Sequence, residues 1–355
     1  MATISNSPMT KAKFNAVGLG TLQFPRNPDF SSSYAELESI LLRVGAEAVK
    51  HNLVIPLDLA RAYGNEEHIG QFFRNHPKYR NSFELITKIG IDFGSENPYV
   101  TDADELRKHI ADSFERLGPI ETVMLHRICH EWDPSNPVDQ AKIDATYKVL
   151  VEFKAEKKCV HIGVSECNSQ MLRYLADTHG VDVFEFAWSP FIHRGNKNGI
   201  VDVIKEFNIR TFTYSSVLRG FFNDKIFEIN TANYATDEEL RQKVLTDLGI
   251  TENPFENTVG FYDSAYIRQN VETVQEFNRL ATQHGLTPAE LSIGCAIHMG
   301  FVPIPGSSNI DRILQNTFDI KEIDPDVIKT AMSIAIKFAG NPNPSCLSKL
   351  DDPTL

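Results

Sequence analysis

Short β-rich runs alternate with amphipathic helical stretches along this chain. That alternation leaves few folds open, because strands joined through helices lie parallel and need helices to cover their sheet. Eight runs can be read, the first near Phe14 to Leu19 and the others ending at Asp58, Lys88, His126, Ser165, Trp188, Ser215 and Pro305. Eight runs with seven connections suit a closed barrel better than an open doubly wound sheet, and no Gly/Ser or Pro-rich linker divides the chain. The expected fold class is α/β, a (β/α)8 TIM barrel forming a single domain over residues 1–355, with its core at about 14–320 and a C-terminal helix and tail over 321–355.

The connecting stretches carry helix signatures. Leu106, Ile110, Phe114 and Leu117 recur at helical spacing behind Thr101 or Asp102 as cap and before Gly118. Ile143, Tyr147, Leu150 and Val151 do the same between about Pro137 and Lys157. The stretch from Phe221 to Tyr262, after the seventh strand, is longer than a simple connection needs and is expected to be an elaborated loop over the mouth.

The formal net charge of −12 repels nucleic acid and anionic membrane surfaces, which points to a small-molecule partner. Five cysteines (Cys129, Cys159, Cys167, Cys295, Cys346) are widely spaced, odd in number and free of CxxC pairs, so reduced thiols are expected. The first residues, MATISNSPMTKAK, lack the apolar stretch of a signal peptide, and no segment reaches the roughly 18 apolar residues of a membrane span. The chain reads as cytoplasmic. Ser348, Lys349 and Leu350 spell a peroxisomal tripeptide, but residues follow it and such a signal must be terminal.

Four residues with proton-transfer chemistry follow successive runs: Asp58 and Tyr63 in LDLARAYG, Lys88 in ELITKIG and His126 in TVMLHRICH. Each alone is an ordinary structural residue; together, at the same ends of parallel strands, they share one mouth and point to an enzyme. His126, Cys129, His130 and Asp133 lie close in HRICHEWD, but their spacing matches no standard metal site, and none is expected.

The ordered stretches VGLGT, LDLARAYG, ITK, MLHR, HIGVSECN, FEFAWSP, TYSSVLRG and LTPAELSIGCAIHMGFVPIPGSSNIDRILQN resemble the aldo-keto reductase family over nearly the whole length. NGIVDVIKEFNI, the acidic residue in GVSEC and FVPIPGSSN look most like its fungal pyridoxal reductase-type branch. The resemblance implies a barrel that binds NADP(H) in an extended pose without a Rossmann motif, and this chain has no GxGxxG after its first strand. It also implies hydride transfer to an aldehyde or ketone. A carbonyl that takes a hydride becomes an alkoxide and needs an acid within hydrogen-bond reach. Tyr63 is the expected acid, and a phenol that titrates near pH ~10 is expected to be lowered by the Lys88 ammonium. Asp58 would hold Lys88 protonated and placed; His126 would orient the carbonyl oxygen or relay the proton.

For the cofactor, the resemblance places Gly20, Thr21 and Asp58 near the nicotinamide end. Ser165 and Glu185 would meet the carboxamide, although the family pattern has Ser-Asn and Gln where this chain has Ser165-Glu166 and Glu185. Trp188 would stack on the nicotinamide face. Ser215, Val217 and Leu218 would offer backbone N–H groups to the pyrophosphate, while Lys225 is expected to be solvated. Ser307, Asn309 and Arg312 would take the 2′-phosphate, and Gln315 and Asn316 the adenine. Many relatives have Lys or Arg where this chain has Ser308 and Asn309, which puts the weight on Arg312. Phe24, Trp132, Phe191 and Phe222 form an aromatic set suited to a flat aldehyde. The alternative is a cofactor-sensing, non-catalytic subunit with the same barrel. Oligomeric state is not legible in the sequence.

Overall fold

The computed structural model describes residues 13–24, 30–92, 99–128, 132–192, 198–250 and 260–340. The chain divides into two compact units, Met1–Phe186 with Asp202–Phe212 and Ile304–Asp319, and Ala187–Val201 with Thr213–Pro303 and Ile320–Leu355. Cys129, His130, Cys346 and the Ser348–Leu350 tripeptide lie outside the described residues, as do 1–12 and 251–259.

The described residues hold nine strands: β1 (Lys13–Phe14), β2 (Leu19–Gly20), β3 (Leu53–Asp58), β4 (Phe83–Ile89), β5 (Thr122–Leu125), β6 (His161–Ser165), β7 (Val183–Ala187), β8 (Arg210–Tyr214) and β9 (Val302–Pro303). They run β1-β3-β4-β5-β6-β7-β8-β9, with β2 also pairing β3, and the pairs from β1 to β7 are parallel. A parallel bridge between Gly20 and Gly306, both in the first unit, joins the beginning of this order to the segment after β9. Only glycine fits at position 20, since a Cβ there would stand 2.7 Å from the Ile304 carbonyl oxygen.

The run from Phe14 to Leu19 proves to be two short strands. Asn15 bends the chain between them, its side-chain amide donating to Val17 O at 3.0 Å and Thr317 O at 2.7 Å. Strands β5, β7, β8 and β9 stop at Leu125, Ala187, Tyr214 and Pro303, so His126, Trp188 and Ser215 open the loops that follow and Pro305 lies two residues past β9.

The first five helices are α1 (Phe30–His51), α2 (Glu66–Asn75), α3 (Ala103–Leu117), α4 (Pro137–Ala155) and α5 (Ser169–Thr178). Asp102 is the cap of α3, accepting from Glu105 N, and Leu106, Ile110 and Leu117 are buried as the spacing predicts. Phe114 sits at the edge of that stripe; Ser113 is inside it, donating to Glu66 Oε2 at 3.1 Å. Helix α4 begins with Pro137 behind an Asn136 cap and buries Ile143, Tyr147 and Leu150.

The chain continues through α6 (Ile200–Phe207), α7 (Asp224–Phe227), α8 (Asp237–Leu248), α9 (Ile267–Gln283), α10 (Pro288–His298), α11 (Ile310–Phe318) and α12 (Pro325–Ala335). The described part of the long 221–262 stretch is therefore largely helical rather than irregular. Its ends are pinned together: Phe221 stacks on Tyr262 with centroids 5.1 Å apart, and Tyr262 Oη donates to Arg219 O at 3.2 Å. No described helix is long and apolar enough to cross a membrane.

Candidate active site

Three ionisable side chains from three strands meet below the surface of the first unit. Asp58 ends β3, Lys88 lies near the end of β4, and Glu185 lies in β7 opposite Ser165 of β6. The Lys88 ammonium donates to Asp58 Oδ1, to Leu59 O at 3.0 Å and to Glu185 Oε2 at 3.1 Å. Exposure of 3% for Asp58, 1% for Lys88 and 2% for Glu185 makes this a dry floor.

Above the floor stand Tyr63 and His126, both half-buried. Tyr63 closes the 3-10 turn Arg61–Tyr63, where its N–H donates to Ala60 O at 3.0 Å and Gly64 terminates the turn at φ 74°. The Lys88 ammonium stands 5.2 Å from the centroid of the phenol ring. His126 is anchored by its N–H to Ile89 O at 2.7 Å and meets Tyr63 edge-on, with centroids 5.7 Å apart. Its Nδ1 is buried with no hydrogen-bond partner among the described residues. A fully buried Asn65 fixes the loop below: its amide donates to Thr21 O at 2.8 Å, and Thr21 Oγ1 donates to Asp58 O at 2.8 Å. The sequence reading missed Asn65, for which an Asn after the Gly64 turn was the only signal.

Burial sets most of the electrostatics. It opposes the Lys88 charge, but Asp58 and Glu185 outweigh it and hold the ammonium above the ordinary lysine range. Burial also raises Asp58, with Lys88 pulling it back, and pushes Glu185 up to about 8. His126 is held well below the ordinary histidine range by burial, then by Lys88 and Arg127, so its imidazole is neutral at pH 7. The expected lowering of Tyr63 is overturned: burial raises the phenol above its ordinary range, and the opposing Lys88 charge is the smaller effect.

Glu185 also departs from expectation, since its carboxyl accepts from Lys88. Ser165 is buried at the end of β6, and Glu166 follows at φ 50° with its N–H on Glu185 O at 2.9 Å.

The Ser307–Asn316 segment, also in the first unit, places Asn309 as the cap of α11, accepting from Arg312 N at 3.0 Å, while Ser307 Oγ accepts from Asn309 N at 3.0 Å. Asn309 is thus occupied as a cap. The Arg312 side chain is exposed on the first turn of α11 with no hydrogen bond or ion pair among the described residues. A free guanidinium at a helix N-terminus suits a phosphate, so these residues fit a 2′-phosphorylated nicotinamide cofactor. Asp311 beside it pairs with Arg43 at 3.5 Å, and Gln315 and Asn316 are half-buried on the same helix.

In the second unit, Trp188 is fully buried with its ring edge-on to Phe301 at 5.3 Å, so the ring expected to be free for stacking serves as packing. Ser215 and Leu218 adopt φ 60° and 54°, which lets the TYSSVLRG turn close without Pro or Gly there. Leu218 N donates to Ser215 O at 3.0 Å, which commits that N–H to the turn, whereas Val217 is half-buried. Lys225 is exposed, as expected. Among the proposed wall residues, Phe191 is buried against Phe277 at 4.7 Å and Phe222 half-buried. Phe24 of the first unit is buried at 1% exposure; Trp132 is half-buried under Lys142. Phe24 and Phe191 are core.

A lysine flanked by carboxyls thus lies beneath a tyrosine and a neutral histidine at the ends of parallel strands. Solved structures share the fold: the glycerol dehydrogenase of Gluconobacter oxydans superposes with a TM-score of 0.66 at 17% identity, covering 96% of this chain and 94% of that one. An aldo-keto reductase of Bacillus halodurans, solved in its holo form, gives 0.63 at 16% identity, covering 90% and 91%. Among curated proteins, an aldo-keto reductase of Gibberella moniliformis is 25% identical over 82% of this chain and 81% of its own length. The aldo-keto reductase yakc [NADP(+)] of Schizosaccharomyces pombe is 27% identical, covering 73% and 72%. The probable pyridoxal reductase 2 of the same yeast is 22% identical, covering 73% and 72%. The sequence profile of the aldo/keto reductase family matches residues 16–336. The chain belongs to the aldo/keto reductase family, an α/β protein of the (β/α)8 barrel class and an oxidoreductase that uses a nicotinamide cofactor.

Proposed function

We propose that this protein is an NADPH-dependent carbonyl reductase that converts a small aldehyde or ketone to its alcohol. The observation that carries the reading is the graded site: a buried Asp58–Lys88–Glu185 floor under half-buried Tyr63 and His126, the two groups a carbonyl can reach. The cofactor, when bound, supplies the hydride. Arg312, with Ser307, holds its 2′-phosphate.

His126, neutral and half-buried beside Tyr63, orients the carbonyl oxygen by a hydrogen bond. Tyr63 gives its proton to the alkoxide. A raised phenol remains competent for this step, because an alkoxide is comparable in basicity to hydroxide, whose conjugate acid titrates near ~15.7. The raised value has a use: Tyr63 stays loaded with its proton throughout the neutral range. Lys88 stabilises the phenolate left behind, Asp58 keeps Lys88 in place, and solvent restores the proton.

The test is loss of NADPH absorbance over an aldehyde panel containing pyridoxal and 4-nitrobenzaldehyde, with NADH in parallel. Turnover favouring NADPH is expected, and the panel then ranks substrates. Tight NADPH binding with no aldehyde reduced would overturn the reading in favour of a cofactor-sensing subunit.

A further inference from the structure

We propose that Glu185 is a proton-holding positioning residue, whose protonated carboxyl leaves Asp58 as the single charge balancing Lys88 beneath Tyr63. The proposal rests on the reading of Tyr63 as the acid for its consequence in turnover, but its proton can be observed without turnover.

The argument begins with a count of charges. One ammonium faces two carboxyls, and all three are buried. With both carboxyls ionised, the floor would carry an uncompensated negative charge out of reach of water, which is costly. Asp58 is the carboxylate, and Glu185, at 3.1 Å from the ammonium, carries the proton. Burial and the Asp58 charge raise its carboxyl to about 8, with Lys88 opposing.

Every neighbouring element adds its ionisable groups. Tyr63 lies above, and His126 follows β5. β6 begins with His161 and is followed by Glu166, and β8 carries Arg210, committed to Glu84, and Tyr214. Among these groups, the charges that act on the Glu185 carboxyl are Asp58 and Lys88.

The proton has a consequence for the acid. While Glu185 holds it, the floor is neutral and Lys88 stabilises the Tyr63 phenolate that proton donation leaves. Once it is lost, a second negative charge opposes that phenolate, since the Glu185 charge raises Tyr63. Carbonyl reduction should therefore fall about tenfold, the effect of one unit on Tyr63, as pH rises past about 8. The fall should be in kcat, with KM little changed.

The test compares the full chain with Glu185→Gln, which installs the residue the family pattern has there. Infrared spectra taken below pH 8 should show a protonated-carboxyl band that shifts in heavy water, fades above pH 8 and is missing from the variant. The same band in both proteins, or none in the wild type, would overturn the proposal. Melting supplies a second readout. A carboxyl raised in the folded state contributes stability that is present below its unfolded value of about 4.5 and lost as pH rises through about 8, so Tm should drop over that window in the wild type and less in Glu185→Gln. In kinetics the variant should lack the alkaline fall in kcat; matching profiles would refute the coupling to Tyr63. Failure to reduce any aldehyde would sink the reductase reading, and the band would still decide Glu185. If Glu185→Gln does not fold, Glu185→Asp should move the band, and an unmoved band would count against Glu185 as its source.

Discussion

Strand β4 carries two buried ion sites on one face, four residues apart, and they differ in kind. At Glu84 the carboxylate accepts from Arg210 at 2.6 Å, one charge against one, and the guanidinium lies over the Phe14 and Phe212 rings at 4.9 and 4.8 Å. At Lys88 one ammonium meets two carboxyls and a phenol, with the lysine side chain at 0% exposure. The first site sets one charge against one and is braced by aromatic faces. The second is unbalanced, so it must store a proton, and it sits under the residues that face solvent. Burial alone does not mark a functional charge; burial with an odd count of charges does.

The largest expected effect breaks the second site at its acid. Tyr63→Phe removes the hydroxyl and keeps the ring against His126, so kcat should fall by about 10²–10⁴-fold while NADPH affinity, read by fluorescence titration, is retained. Unchanged turnover would remove Tyr63 from the mechanism.

The next pair of variants separates the two ends of β4. Lys88→Met strips the cation from two buried carboxyls and should abolish turnover as well as lower stability by about 3–5 kcal/mol. Arg210→Met breaks only the balanced pair. Its cost should lie at the low end, about 3 kcal/mol, because the guanidinium is 29% exposed, and the folded protein should keep its turnover per molecule. Denaturant melts and assays on both variants check this. Equal losses of activity would erase the distinction.

The sequence shows the barrel through its alternation, and the proton-transfer set through polar residues placed just where apolar runs end. Asp58, Tyr63, Lys88 and His126 are brought together as their positions imply. What stayed hidden depends on partners far apart in the chain. Glu185 meets Lys88 rather than a carboxamide because β7 and β4 project side chains to a common floor, 97 residues apart in sequence. Trp188 looks free in sequence, yet Phe301 packs against its ring. Strands β1, β2 and β9 have two residues each, shorter than the apolar runs that mark them in the sequence. Tyr63 looked depressed because a lysine neighbour can be inferred from motif order, whereas the burial that outweighs it is a property of the assembled site.

The smallest expected effect lies away from both ends of β4, at an exposed charge that balances nothing within the protein. Arg312 projects from the first turn of α11 without a partner among the described residues, while the neighbouring Asp311 is matched by Arg43. A cation left unmatched on a surface costs little to remove, so Arg312→Ala should leave Tm unchanged. If it grips the 2′-phosphate, KM for NADPH should rise about tenfold, near the 1.4 kcal/mol of a charge-assisted contact, with kcat and KM for NADH unaffected. A rise for both cofactors alike would assign Arg312 to the shared part of the dinucleotide. No change in either would remove it from the cofactor site and favour NAD as the working cofactor.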